Sequence, residues 1–348
     1  MTPPTQAQPP QDAPEPPPPA DWLAPTLPEP DSSRPYHPPE LLRDLRLLDA
    51  VALTGTTEQA GRWLEVSQPT VSRRCRRLVE DFGLPPQPRQ SKRFSAGTTI
   101  SLRQLRLSAR WHRFEAGVMV LASDPLHQGL LSDLEGQLPV PQRFRSGEAW
   151  LDLVRQGVID AALVSSLELE RPEVGRDPGL PWRAPTGADG VEVIEPQRLH
   201  LGHWPLRLAA PAGAGGKGSA PRLLVPPAPL APGLRTLLAG RGLMVEVAAA
   251  AAHDLTVWRR RLETDHLATP VPADLLERGA GPLAGLTPLE GSEDLREHLW
   301  LLLPAEWPRV PVLRRAVEGL RRRAIAAGAL SAQPLETDQG GAPESDPS

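Results

Sequence analysis

The chain has 348 residues, 40 % of them hydrophobic, with 44 prolines, one cysteine and a formal net charge of −4. That length holds two domains of ordinary size, and the acidic total argues against a generic nucleic-acid coat. The lone Cys75 excludes an internal disulfide framework and fits a reducing compartment. No stretch approaches the ~18 apolar residues needed to span a bilayer, so a cytoplasmic protein without membrane contact is expected. Residues 1–39 carry 15 of the prolines, in runs such as Pro16-Pro17-Pro18-Pro19. A segment without backbone donors or an apolar face reads as a disordered tail, and it lacks the basic start and apolar core of a signal peptide.

The pattern changes at Glu40. Leu41, Leu45, Leu48 and Ala52 recur at helical spacing and predict a first helix ending near Thr54-Gly55. Thr56 is placed to cap a second, short helix, with Gln59 three residues on as its capping-box partner. Ala60 and Leu64 give that helix its apolar stripe. Glu65-Val66 makes a tight turn, and Ser67 stands at the N-cap of a third helix whose first turn tolerates Pro69. On a wheel of ~100° per residue, Val71, Cys75, Leu78 and Phe82 share one sector of this third helix. Pro69, Thr70, Arg73, Arg76 and Arg77 cover the other side, and Gly83 sits where a left-handed cap ends the helix. Residues 62–93 hold eight basic and three acidic side chains, so the positive charge is local. Two short helices joined by a tight turn, the second with a polar and basic face, have the geometry that enters a DNA major groove. Cys75, on the apolar face, reads as core rather than as a redox sensor.

The uninterrupted run from Thr54-Gly55-Thr56-Thr57 through Ser67-Gln68-Pro69-Thr70-Val71-Ser72-Arg73 resembles the signature of LysR-type regulators. The resemblance implies a winged helix-turn-helix, homo-oligomers and promoter binding. It implies that Gln68, Pro69, Thr70 and Arg73 meet bases or adjacent phosphates, with Thr57 and Ser72 on the DNA backbone. Ser67, Arg76 and Arg77 join them on the same helix, and Arg89, Lys92 and Arg93 are candidates for phosphate or minor-groove contact. Gly61 replaces the family's second alanine, Val79 its glutamate, and Pro86-Gln87-Pro88-Arg89 its Leu-Phe-x-Arg wing strand.

Residues 101–115 are helical in pattern, with a stripe of Leu107, Trp111 and Phe114 beside Leu102, Leu105 and Ala109. In the family this stretch is a linker helix that pairs between subunits, and a dimer helix is the expectation. Short strands are expected at 117–122, 158–164, 206–210, 223–225, 243–247 and 299–303, and helices at 148–156, 234–238, 255–262 and 312–327. This alternation predicts an α/β fold with a mainly parallel sheet. The resemblance implies a periplasmic-binding-protein-like effector domain of two subdomains. Ligands in such folds sit beyond the strand ends, which singles out Ser123, Ser146 and Ser165 as effector candidates. The resulting division is a tail at 1–39, a winged helix-turn-helix at 40–97, a linker helix at 98–117, an effector domain at 118–332 and a second tail at 333–348. Residues 168–196, rich in Pro, Gly and Glu, read as an inserted loop.

Other signals carry less. The Gly213–Gly218 run matches the dinucleotide fingerprint in form, but prolines follow where a helix must open, and no acidic residue stands ~20 residues on. Ala248–Ala252 reads as helix or low complexity. His200 and His203 are the nearest histidine pair, and two ligands without a nearby cysteine do not make a zinc site. No nucleophile elbow, zinc-protease motif or carboxylate pair appears, so neither an enzyme, a cofactor nor a metal is expected. The expected function is that of a DNA-binding transcription regulator of LysR type under small-molecule control. Its partners would be double-stranded promoter DNA, an effector, itself as homodimer or homotetramer, and RNA polymerase. The alternative is a divergent ligand- or protein-binding module without promoter recognition.

Overall fold

The computed structural model describes residues 36–84, 99–168, 196–212, 222–239, 241, 243–247, 255–278, 283–292 and 295–329. Residues 1–35 of the first tail, the second tail, the expected wing with Arg89, Lys92 and Arg93, residues 169–195 of the inserted loop, the Gly213–Gly218 run and the alanine run lie outside these residues. Tyr36, expected in the first tail, is described, and its hydroxyl lies 3.4 Å from His112 Nδ1. Among the described residues no helix is long and apolar enough to cross a membrane.

Three helices open the described chain: α1 (Arg43–Thr54), α2 (Thr57–Leu64) and α3 (Gln68–Asp81). Leu45, Leu48, Val51, Ala60, Val71 and Cys75 form their shared core. The caps explain the breaks between them. Gly55 ends α1 in the left-handed region at φ 84°, and Thr56 Oγ1 accepts the amide of Gln59 at 3.1 Å to start α2. Glu65 turns the chain at φ 56° although it carries a side chain. Ser67 occupies the N-cap of α3 without a capping bond to an amide; its Oγ lies 2.9 Å from Thr70 Oγ1 instead. Gly83 then closes α3 at φ 56°, with Leu84 N donating to Val79 O at 2.9 Å.

Helix α4 (Ile100–Glu115) joins this unit to an α/β domain of two lobes. Leu102 and Ala109 pack into the three-helix core and Phe114 into lobe 1. Of the stripe expected to meet a second subunit, Phe114 is buried in its own chain and Trp111 packs against the same core, whereas Leu107 belongs to neither cluster. Three arginines on the other side of α4 are buried as well. Arg106 donates to Asp49 of α1 at 2.8 Å, while Arg113 and Arg110 converge on the fully buried Asp160. The helix thus seats one domain on the other within a single chain.

Lobe 1 contains β1 (Leu121–Ala122), α5 (Gln128–Leu131), α6 (Gly147–Arg155) and β2 (Ala161–Ser165). The long β3 (Gln197–Pro211) runs from lobe 1 into lobe 2, which adds β4 (Arg222–Val225), α7 (Pro232–Ala239), β5 (Met244–Val247), α8 (Leu255–Thr264), β6 (Thr269–Pro272), α9 (Ala273–Arg278) and β7 (Leu286–Pro288). The chain returns to lobe 1 with β8 (Arg296–Leu303) and α10 (Pro311–Ala326). The main sheet has the order β1-β2-β8-β3-β6, with β7 also on β3, and β4 pairs β5 separately. The sheet is mixed rather than mainly parallel. Among the described strand pairs, β1–β2 and β4–β5 alone are parallel, because β8 and β3 enter as antiparallel neighbours from distant parts of the chain. Along β8, Leu299, Leu301 and Leu303 face α10 while Trp300 and Leu302 face α6. Burial on both faces stabilises each such leucine by roughly 1.5–3 kcal/mol relative to exposure. The strand expected at 117–122 shrinks to Leu121–Ala122, since Gly117 adopts φ 70° and turns the chain before it.

Candidate nucleic-acid interface

The face that α3 turns away from its core is open. Ser67, Gln68, Pro69, Arg73, Arg76 and Arg77 are exposed, and Thr57, Thr70 and Ser72 are half-buried. Val71 and Cys75 have no exposure on the opposite face, so the helix is held by its apolar side against α1 and α2. Burial, followed by the charges of Asp44 and Asp49, pushes the Cys75 thiol up to about 12, which leaves it an unreactive core side chain. The four arginines differ. Arg74 pairs with Asp44 at 2.9 Å and Arg77 with Asp81 at 3.7 Å. Among the described residues none forms an ion pair with Arg73 or Arg76. Gln68 Nε2 donates to Thr57 Oγ1 at 3.0 Å, tying the start of α3 to the start of α2. Hydroxyls, one amide and two unpaired guanidinium groups thus line the leading face of a helix whose N-terminal amides also favour an anion.

Residues 42–94 match the family described as bacterial regulatory helix-turn-helix protein, lysR family. The N-terminal unit is a lysR-type helix-turn-helix. No curated protein matches the chain. Among solved structures, CbnR, a LysR family transcriptional regulator, is 17 % identical, with 81 % of this chain and 99 % of that one covered at a TM-score of 0.43. A full-length OxyR point variant from Pseudomonas aeruginosa is 14 % identical over 80 % of this chain and 97 % of that one, at 0.39. LysG from Corynebacterium glutamicum with bound effector Arg is 14 % identical over 82 % and 98 %, at 0.37.

Within the lysR-type unit, Gly61 has a steric reason. A Cβ there would lie 2.6 Å from the carbonyl oxygen of Val66, because the turn after α2 folds back and Val66 N donates to Gly61 O at 2.9 Å. The unit is also clamped to lobe 1. Arg143 donates to Thr54 O, and Arg145 to Ala52 O at 3.0 Å and to Leu53 O. Leu53 itself sits in the lobe 1 core. A cavity of about 250 Å³ lies along this seam, lined by residues that include Leu45, Asp49, Trp63 and Arg113.

The three effector candidates separate. Ser146 caps α6, accepting Ala149 N at 3.4 Å. Ser123 and Ser165 are buried at the ends of β1 and β2, in a polar cluster the sequence did not reveal. His127 bonds Asp124 through Nδ1 and Glu297 through Nε2, the latter at 2.9 Å. Ser165 Oγ donates to Glu297, and Glu168 accepts Trp150 Nε1 at 2.7 Å and Ser165 N at 2.8 Å. Burial alone would lower the His127 imidazolium, but Asp124 and Glu297 outweigh it and hold it well above its ordinary value. Burial first, then Asp124, holds Glu168 well above the usual carboxylate range. The cluster lies at the ends of β1 and β2, the strand ends beyond which α/β folds hold ligands, and its side chains bond one another.

Sequence reasoning also counted only two histidines near residue 200. The fold adds His298 from β8, almost a hundred residues away, and the three imidazoles form one group. Burial, then the neighbouring imidazoles, lowers His200 and takes His298 to about 4.

Proposed function

We propose that the chain is a sequence-specific DNA-binding transcription regulator of the lysR type, with a two-lobed domain that takes a small-molecule effector. The observation that carries this is the solvent-open α3 face, on which Arg73 and Arg76 form no ion pair among the described residues while Arg74 and Arg77 do. Gln68 suits a bidentate pair with adenine and Arg73 one with guanine, while Arg76 and Arg77 supply phosphate attraction. Thr57, Ser67, Pro69, Thr70 and Ser72 complete the interface, and Arg89, Lys92 and Arg93 are assigned phosphate or minor-groove contact from the sequence. Two copies of the chain would place two such helices about one turn of DNA, or a multiple, apart, with Leu107 of α4 still available to the subunit contact. Such a protein works in the cytoplasm beside the chromosome and RNA polymerase, and turns over no substrate.

The test is a mobility shift with the duplex upstream of the protein's own gene against random duplex at one fixed salt concentration. Arg73→Ala is expected to lose about 1–3 kcal/mol on the specific duplex and little on random DNA. Arg76→Ala is expected to weaken both duplexes alike and to flatten the salt dependence. Equal losses for Arg73→Ala on the two duplexes would remove its base-reading role. Failure of the parent protein to prefer any promoter duplex would favour a binding module that has lost promoter recognition.

A further inference from the structure

Away from the helix-turn-helix and the buried carboxylate cluster, three imidazoles meet on the β3–β8 ladder. His200 and His203 are three residues apart on β3, and in a regular strand such a pair points to opposite faces. Here the register slips between them, and Gly202 takes φ 97°. The irregularity re-aims one side chain and brings both rings to the same side. Across the ladder His203 stands opposite His298, and His200 opposite Trp300. His200 Nε2 lies 3.1 Å from His298 Nδ1, and the His203 and His298 ring centroids are 3.9 Å apart. One ligand nitrogen from each ring falls within 4.8 Å of the other two.

Metal–nitrogen bonds of ~2.0–2.1 Å in a tetrahedral site put ligand nitrogens roughly 3.3 Å apart. The His200–His298 edge is already close to that separation, and His203, exposed at the rim, needs only to swing inward. Trp300 packs against His200 with centroids 4.4 Å apart and fixes that ring. Imidazole ligands bind through a ring-nitrogen lone pair, and each of the three rings offers one to the group. Among the described residues the group is three imidazoles without a carboxylate, which suits a borderline d-block ion rather than magnesium or calcium. We propose that His200, His203 and His298 form a solvent-open site for a divalent transition metal of the zinc class.

The site has a place from which to act. His203 is two residues before Pro205-Leu206, where the pairing of β3 passes from β8 to β6, and His298 adjoins Glu297 of the buried cluster. An ion there would staple the two strands on which lobe 2 hangs. This regulatory consequence rests on the proposed gene-control function; metal binding itself does not.

The experiment uses the full-length, untagged protein, stripped with a chelator and titrated with Co²⁺ while its visible ligand-field bands are followed, then challenged with Zn²⁺. One equivalent of Co²⁺ is expected to give the intense bands of four-coordination, and Zn²⁺ to abolish them. His203→Ala and His298→Gln should each weaken binding by more than the ~10–100-fold that loss of an outer-shell partner costs, and His112→Gln on α4 should not. A weak six-coordinate spectrum, or unchanged binding in His203→Ala (a rim position whose loss leaves the core intact), would overturn the site. Repeating the mobility shift with and without Zn²⁺ separates the two claims. Cobalt binding with no promoter preference keeps the metal site and removes the gene-control reading, and a zinc-indifferent shift removes only the regulatory link.

Discussion

An alanine at position 61 would gain helix propensity and lose a backbone contact. The gain for replacing a helical glycine is up to about 1 kcal/mol. Against it, the added methyl carbon would stand 2.6 Å from Val66 O, a backbone atom that cannot rotate away. Inserting a carbon into such a contact costs about 1–3 kcal/mol. Gly61→Ala is therefore expected to lower the thermal midpoint of the helix-turn-helix signal, even though the resembling family carries alanine there. A raised midpoint would mean that the turn relaxes freely and that propensity governs. The glycine was legible in the sequence as a departure from the family pattern. Its cause was not, since the Val66 carbonyl approaches only once Glu65 has entered the left-handed region.

Helix α4 shows what an element conceals when read alone. Its apolar stripe was visible, but the burial of Arg106, Arg110 and Arg113 was not, because the acids that receive them are not local. Asp160 accepts Arg113 Nε at 3.0 Å and Arg113 Nη2 at 2.5 Å, lies 3.4 Å from Arg110 Nε, and takes the amide of Val120 at 2.7 Å. Removing its charge leaves two buried guanidinium groups facing one neutral amide. Asp160→Asn is expected to cost about 3–5 kcal/mol, read as a lower urea midpoint, whereas a loss under about 1 kcal/mol would mean that water already screens the group. Legibility follows the range of the interactions. The helices of the DNA-binding unit could be placed because caps and periodicity are local. The first half of β3 escaped because Gly202 and Pro205 interrupt its alternation and its partner β8 lies some hundred residues on. Strand β6 escaped because Pro270 and Pro272 argue against a strand, a composition tolerated at the end of the sheet order that β6 occupies.

At the scale of the whole molecule the buried cluster joins the lobes. Asp124 and His127 follow β1 of lobe 1, Glu297 opens β8, and Leu126 between them sits in the lobe 2 core. Within this buried junction, His127 and Glu168 hold their protons more tightly than usual and make it sensitive to pH. The folded His127 binds its proton more tightly than an unfolded histidine of ordinary value 6.5. Its contribution is complete below about pH 6.5 and is lost as pH rises through the raised folded value. Glu168 has the same sign, because the folded chain holds its proton above the ordinary 4.5, so its contribution declines from that point upward. The thermal midpoint of the parent protein is thus expected to fall as the pH rises above about 6.5. His127→Gln leaves Asp124 and Glu297 without a cation and is expected to cost about 3–5 kcal/mol at the acid end. Its deficit should shrink as the pH rises, because the parent protein loses the same proton there. Parallel stability curves for the two proteins would show that His127 is neutral in the folded state. The junction would then be held by hydrogen bonds alone, and an effector entering between the lobes would not have to displace an ion pair.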